Sequence, residues 1–314
     1  MPLSRRQFVA RSAAAAALPF VSPLAGAAAR PGAAAPLAAS SRALGRAEFT
    51  PIRRGVGAFT DRGGTIGYLR SDAALVAVDT QFPESAQTFL DGLREGSGRG
   101  LDLLVNTHHH GDHTAGNAVL APVADVHVAH EAVPGLQRAA AVRSGSLDAQ
   151  RYPSETYRRT WSVDLGDEVV ALHYFGPAHT CGDSVVHFER ADVVHMGDLV
   201  FNRRQPFVDG PAGATVQGWT AVLETVHGRF SNETAFVFGH AGEGYPVVGT
   251  RADLLVMRDF LGAVYAAVAG WRAEGVAPAA IEGREVPGHA AWGPLPMRVV
   301  EPVVAEIERE ERQR

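Results

Sequence analysis

One short segment constrains this chain more than any other: NTHHHGDHTAGN, residues 106–117, places four histidines and one aspartate within six positions. It follows a continuous apolar run, LDLLV, typical of a strand buried on both faces. Residues two apart in extended chain project to one side, so we expect His108 and His110 to bind one metal. The intervening glycine permits a sharp turn, which directs Asp112 and His113 at a second metal. The alternative is a solvated histidine-rich loop.

Three further candidate ligands stand at the ends of later predicted strands, each beside glycine. They are His179 in GPAHTCGD, Asp198 in HMGDLVF and His240 in FVFGHAG. Taken singly, each is as readily an ordinary loop residue as a functional one. Taken with the first cluster, they complete two metal sites.

The order of predicted elements is strands, helix, strand, helix, then strands and helix again. Two sheets covered by helices on their outer faces satisfy this order. We expect residues 46–248 to form this catalytic domain and residues 249–314 to form a helical extension packed on it. The formal net charge is −5, and no basic segment dominates, which argues against nucleic acid as a partner.

The amino terminus has the layout of an export signal: a positive start, a short apolar middle and a small-residue end. The pair Arg5-Arg6 resembles the twin-arginine type. We predict a signal over residues 1–29, a disordered tether over 30–45, the twin-arginine machinery as a partner, and a periplasmic or secreted protein. The alternative is an uncleaved anchor, but the apolar run is shorter than the ~20 residues a spanning helix needs. The chain has one cysteine, so no intramolecular disulfide forms.

In this order and spacing, THHHGDH, GPAHTCGD, MGDLVF and GHAG resemble the motifs of the metallo-β-lactamase-fold hydrolases, and LVAVDT, which ends near Asp79, resembles their first motif. The resemblance covers about residues 50–245. It implies an α/β fold, a four-layer αβ/βα sandwich with the metal site along one edge, here followed by the C-terminal helical extension. It also implies a ligand set in which Asp198 bridges two metals. The first metal takes His108, His110 and His179, and the second takes Asp112, His113 and His240.

The aspartate at position 198 bears on which branch of the family the chain resembles. The β-lactamases most like the clinical enzymes have a cysteine ligand in this region, whereas the glyoxalase II-like and lactonase-like branches have aspartate. Cys181 lies two residues after His179, the wrong place for that ligand, and we interpret it as a buried small residue or a neighbour of the ligands. The ligand set therefore favours a glyoxalase II-like or lactonase-like hydrolase.

Imidazole and carboxylate ligands suit two Zn²⁺ ions, with Fe or Mn possible at the more oxygen-rich second site. A metal lowers the pKa of its bound water to about 7, and the resulting hydroxide is expected to attack an ester, thioester, lactone or lactam carbonyl of a small-molecule substrate. Asp112 and Asp198 are the predicted catalytic carboxylates, and Asp79 is expected to orient ligands by hydrogen bonds. Arg203 or Arg204 could hold an anionic substrate, although solvated surface charge is the commoner fate of arginine.

Three alternatives remain open at this point. One is a metallo-β-lactamase proper, acting on β-lactam antibiotics. Another is a dioxygenase that holds a single iron and oxidises persulfides, against which the complete seven-ligand set speaks. The last is an exported metal-binding protein without catalytic activity.

Overall fold

The computed structural model describes residues 47–313. The predicted signal (1–29), with its Arg5-Arg6 pair, and the predicted tether (30–45) lie outside the described residues. Fifteen strands and eight α-helices are present in the part of the chain that is described.

Seven strands form the first sheet, in chain order. They are β1 (Glu48–Arg53), β2 (Val56–Thr60), β3 (Ile66–Arg70), β4 (Leu75–Val78), β5 (Leu101–Asn106), β6 (Ala124–His130) and β7 (Glu155–Tyr157). Strands β1 to β4 are antiparallel neighbours. Strands β5, β6 and β7 continue the sheet in parallel with β4.

The remaining eight strands are β8 (Thr160–Asp164), β9 (Val169–His173), β10 (Val185–Phe188), β11 (Val193–His195), β12 (Phe201–Asn202), β13 (Ala235–Val237), β14 (His240–Ala241) and β15 (Val248–Gly249). Six of them form a second sheet in the order β15-β13-β11-β10-β9-β8, while β12 and β14 pair separately. Only β11 and β13 are parallel neighbours within the second sheet.

The α-helices are α1 (Pro83–Arg94), α2 (Gly111–Thr114), α3 (Asn117–Leu120), α4 (Val133–Ser144), α5 (Val216–Arg229), α6 (Arg251–Ala273), α7 (Pro278–Ile281) and α8 (Met297–Glu311). The α4 segment contains a proline, Pro134, near its start. Helix α4 begins at Val133 and takes the proline into its first turn, where its missing N–H costs no helical hydrogen bond.

Alternate residues of the central strands pack into different layers. Val76 and Val78 of β4 face the second sheet, whereas Ala77 between them faces α1. In the second sheet, Val193 of β11 faces the first sheet and Val194 faces the helices on the other side. Because strands of both sheets are buried on both faces, the layers are helix, sheet, sheet and helix. The predicted αβ/βα sandwich is confirmed.

The C-terminal helices belong to the core on the outer face of the second sheet. Phe260 of α6 and Val303 of α8 are fully buried there with Trp219 of α5. Among residues 47–313, α6 is the one helix long and apolar enough to cross a membrane by length and composition. Its six buried side chains, from Leu254 to Val268, all lie in this core, which accounts for its apolar character.

Two parallel strand pairs, one in each sheet, bring the candidate ligands to one edge of the sandwich. Strands β4 and β5 run in parallel, with Val78 beside Val105, so the segments containing Asp79 and His108 leave the first sheet together. Strands β11 and β13 do the same for Asp198 and His240 in the second sheet. Carboxyl ends of parallel strands are where open α/β sheets usually place their sites.

Candidate metal centre

Three imidazoles from two distant segments converge on one point. His110 Nδ1 lies 3.0 Å from His108 Nε2 and 3.0 Å from His179 Nε2. Asp198 Oδ2 lies 3.8 Å from His108 Nε2 and 3.6 Å from His179 Nε2. The three histidines form the first cluster, and together with Asp198 they make a group that could hold a metal ion.

The spacing of these nitrogens fits a metal better than it fits hydrogen bonding among the rings. Two Zn–N bonds of 2.0–2.1 Å at a tetrahedral angle separate the nitrogens by about 3.3 Å. The outer nitrogens of two rings face other partners, because His108 Nδ1 lies 3.0 Å from Thr107 Oγ1 and His110 Nε2 lies 2.9 Å from Asp209 Oδ2. A proton on each outer nitrogen leaves the inner nitrogen as a lone pair, which is the form a metal binds.

The second cluster contains Asp112, His113 and His240. Asp112 Oδ2 lies 3.1 Å from His240 Nε2, and the Nε2 atoms of His113 and His240 are 3.4 Å apart. Asp198 faces this cluster as well, with Oδ1 3.0 Å from His113 Nε2 and Oδ2 3.4 Å from His240 Nε2. One carboxylate therefore lies between the two clusters. The donor set, three imidazoles on one side and two imidazoles with a carboxylate on the other, suits two divalent metals.

Asp79 lies beneath the second cluster. Its Oδ2 is 2.8 Å from His113 Nδ1, and its two carboxylate oxygens accept the backbone N–H and the hydroxyl of Thr107. Asp79 has a φ of 68°, in the left-handed region that aspartate tolerates better than most residues. It thus fixes the tautomer of a ligand histidine and the backbone just before His108.

Two positions at this edge require glycine, because ligand side chains approach the backbone too closely for a Cβ atom. A Cβ on Gly239 would overlap Asp198 Oδ1, and a Cβ on Gly64 would overlap the His113 ring. The turn that contains Gly64 is held against the ligand segment, since Gly64 N–H donates to the Asp112 carbonyl at 3.0 Å.

The two clusters differ in charge. Burial, together with the neighbouring His113, lowers the pKa of His108 well below its ordinary value, and burial beside His110 lowers that of His179 to about 3. Burial opposes ionisation of Asp198, but His113 and His240 outweigh it and hold the pKa of that carboxyl well below its usual range. Burial also opposes ionisation of Asp112, but His113 outweighs this effect and lowers the pKa of Asp112 to about 2. His108 and His179 are therefore neutral imidazoles, and the carboxyls of Asp112 and Asp198 are ionised, the forms in which these groups bind metal. Burial lowers the pKa of His113 and of His240, but Asp198 outweighs it and raises both above their ordinary values, so these two rings carry protons that a bound metal would displace.

A cavity of about 480 Å³ opens over Asp112, Asp198 and His240. Its walls come from the segment after β12 and from the start of α8. The cavity is lined by His110, Gly111, Asp112, Asp198, Phe201, Arg204, Gln205, Phe207, His240 and Arg298.

The structure separates the two arginines proposed to hold an anion. Arg204 lines the cavity, whereas Arg203 does not. Arg203 Nη1 lies 3.2 Å from Asp253 Oδ1, and its guanidinium stacks over Tyr245. Of the two, Arg204 is therefore the better candidate, because the charge of Arg203 is neutralised by the first turn of α6. Cys181 is partly buried, packs against Gly213 and is absent from the cavity wall.

Two residues at this centre were missed by sequence reasoning. Asp209, from the loop before α5, contacts His110 and also lies 3.5 Å from His109 Nε2. Arg298 reaches the cavity from the second residue of α8. No spacing signal marks either one, although DGPAG around Asp209 is typical of a capping turn.

Comparison with known proteins identifies the family and two partial relatives of the chain. The family model described as "Metallo-beta-lactamase superfamily" matches residues 59–240, more than half of the chain. The chain is 32% identical over 158 residues to the 2,4-dinitroanisole O-demethylase subunit alpha of Nocardioides sp. (strain JS1661), covering 48% of this chain and 45% of that protein. It is 32% identical over 138 residues to a hydroxyacylglutathione hydrolase of Gloeobacter violaceus, covering 42% and 47%. The chain thus spans about half the length of the curated relatives it matches.

The fold is shared with solved structures at lower identity. A metallo-beta-lactamase from Pontibacter korlensis superposes with a TM-score of 0.57 at 19% identity, covering 69% of this chain and 99% of that one. At that identity the likeness concerns the fold alone.

Proposed function

The chain belongs to the metallo-beta-lactamase superfamily, and from that premise we propose that it is a hydrolase dependent on two divalent metals, with zinc as the native ion. The observation that carries the proposal is the position of Asp198. Its carboxylate faces His113 at 3.0 Å and also stands 3.6 Å from His179 of the other cluster. A single carboxylate between two complete ligand clusters is what a two-metal centre needs.

Bound metals supply a Lewis acid for the substrate carbonyl and lower the pKa of water to about 7. The chain's own residues hold and orient the ligand histidines. Asp79 fixes His113, and Asp209 fixes His110. Asp112 and Asp198 are anionic and lie on the cavity wall, so we assign them the hydrogen bonds that orient the attacking water. Cys181 lies off that wall, so we assign it no role as a nucleophile.

The substrates we propose are small molecules with an ester, thioester, lactone or lactam carbonyl. Within this set, the aspartate at 198 and the likeness to a hydroxyacylglutathione hydrolase support an ester or a thioester as the substrate. The complete pair of clusters supports two metals over a single iron.

We also propose that residues 1–29 direct export through the twin-arginine machinery to the periplasm or beyond, with 30–45 as a tether. The support is the sequence pattern of that segment. A chain that needs metal and has one cysteine suits export in the folded state.

A substrate panel tests the activity. Zinc-loaded protein is assayed with an aryl ester, an aryl thioester, a lactone and a β-lactam, each with and without a chelator. We expect turnover of at least one ester or thioester that the chelator abolishes and that His110→Ala reduces by at least ~100-fold, the scale of losing a charge-stabilising group. Turnover that survives both treatments refutes a metal-dependent hydrolase, and no turnover of any member favours a binding protein.

A further inference from the structure

The outer wall of the cavity carries two arginines from segments almost a hundred positions apart. Arg204 follows β12, and Arg298 lies in the first turn of α8. Both side chains are exposed, and neither makes an ion pair or hydrogen bond with any of residues 47–313. The adjacent Arg203, by contrast, is paired with Asp253.

No carboxylate on the cavity wall is free to neutralise these arginines. The wall has two carboxylates, and both are directed at the histidine clusters: Asp112 at His240 and Asp198 at His113. The rest of the outer wall is apolar or amide, with Phe207 38% exposed. An uncompensated positive charge therefore stands at the cavity mouth, beside apolar surface.

The structure fixes the two arginine-bearing segments relative to each other. Gln205 Nε2, next to Arg204, donates to the Gly293 carbonyl at 2.8 Å, just before α8. Farther along α8, the buried Glu306 accepts the backbone N–H groups of Val216 and Gln217 at the start of α5. Helix α8 is thus anchored on the catalytic core, so the position of Arg298 is set by the fold.

We infer that Arg204 and Arg298 form an anion subsite and that the enzyme selects acyl substrates bearing a carboxylate away from the scissile bond. This inference rests on the proposed hydrolase function and names its substrate class. Guanidinium groups recognise a planar carboxylate through paired hydrogen bonds. Phe207, whose ring lies 5.2 Å from that of His110, lines the same cavity and offers an aromatic surface to the apolar part of such a substrate.

The test compares two esters that differ by one charge: mono-(4-nitrophenyl) adipate, whose carboxylate is too far along the chain to attack its own ester readily, and its methyl ester, which share the same scissile bond. In zinc-loaded full-length protein, Arg298→Ala should lower kcat/KM for the acid by about 10- to 100-fold, the scale of a hydrogen bond to a charged group. The methyl ester should change less than about twofold, since it offers no charge to lose. The matched control is Arg309→Ala, an exposed arginine about three turns farther along the same helix, which should change neither rate.

A binding measurement separates failure of this inference from failure of the proposed function. Calorimetry compares adipanilic acid, the amide analogue, with its methyl ester. If neither 4-nitrophenyl ester is hydrolysed but the acid binds more tightly than its ester, and Arg298→Ala removes the difference, the hydrolase proposal fails and the subsite stands. If acid and ester bind alike, or Arg298→Ala weakens both equally, the subsite is overturned.

Discussion

Asp209 provides the sharpest prediction about the metal centre. Its Oδ2 lies 2.9 Å from His110 Nε2, while its Oδ1 accepts the Ala212 backbone N–H at 3.2 Å. The first contact holds the ring so that Nδ1 faces His108 and His179. Asp209→Asn preserves an oxygen for Ala212 and removes the negative charge beside His110, so it weakens the orientation of the ligand while leaving the loop capped.

The magnitude follows from the role of the contact. Loss of a carboxylate that orients a metal histidine typically costs 10- to 100-fold in metal affinity, or about 1.4–2.7 kcal/mol. We expect Asp209→Asn to weaken zinc binding by that factor, measured by competition with a chromophoric chelator. Asp209 is buried, and losing a hydrogen bond to a charged group costs about 1.5 kcal/mol, so the melting temperature of the zinc-free protein should fall by only about 3–6 °C.

Asp125→Asn is the matched control, because Asp125 is exposed at the start of β6, away from the carboxyl ends of the strands. It should bind zinc as the wild type does. If Asp209→Asn also binds zinc with unchanged affinity, His110 is oriented by something else and the reasoning is refuted.

Two further predictions concern other parts of the chain. Replacing Arg5-Arg6 by Lys-Lys should leave the full-length protein in the cytoplasm on cell fractionation, and unchanged export would contradict a twin-arginine signal. Burial lowers the pKa of His127 to about 4, so the unfolded chain binds the extra proton between pH 6.5 and 4, and stability is full above pH 6.5 and falls as the pH drops. Between pH 7 and pH 5 this group should lower the unfolding free energy of the wild-type protein by about 2 kcal/mol. Denaturant unfolding of His127→Gln should show a loss of unfolding free energy that is smaller by this amount. Equal losses in both proteins would contradict the assignment.

The sequence predicts the ligand clusters because their positions depend on local rules. A buried strand followed by closely spaced imidazoles, and further ligands beside glycine after later strands, meet at one edge once the strands are parallel. Those rules place His108 and Asp198 within 3.8 Å of each other although ninety positions separate them. The layered fold follows from the same alternation of apolar runs and helices.

The cavity wall is not predictable in this way, since it depends on contacts between distant loops. Arg203 and Arg204 are adjacent, but only Arg204 lines the cavity. Arg203 is instead paired with Asp253, some fifty positions later. Arg298 reaches the wall because Glu306 anchors α8 on the start of α5. Asp209 is an ordinary turn residue by its local pattern, and only the tertiary structure brings it to His110.

The number of metals per chain tests the central claim most directly. We expect metal analysis of purified protein to give close to two zinc ions per chain, and Asp198→Asn to give about one, because the second cluster loses a charged ligand while the first keeps three imidazoles. The Asn variant should also lose at least ~100-fold in rate. A wild-type protein that binds one metal at saturation, or an Asp198→Asn variant that keeps two metals and near-normal turnover, would contradict a centre in which Asp198 joins two metal sites.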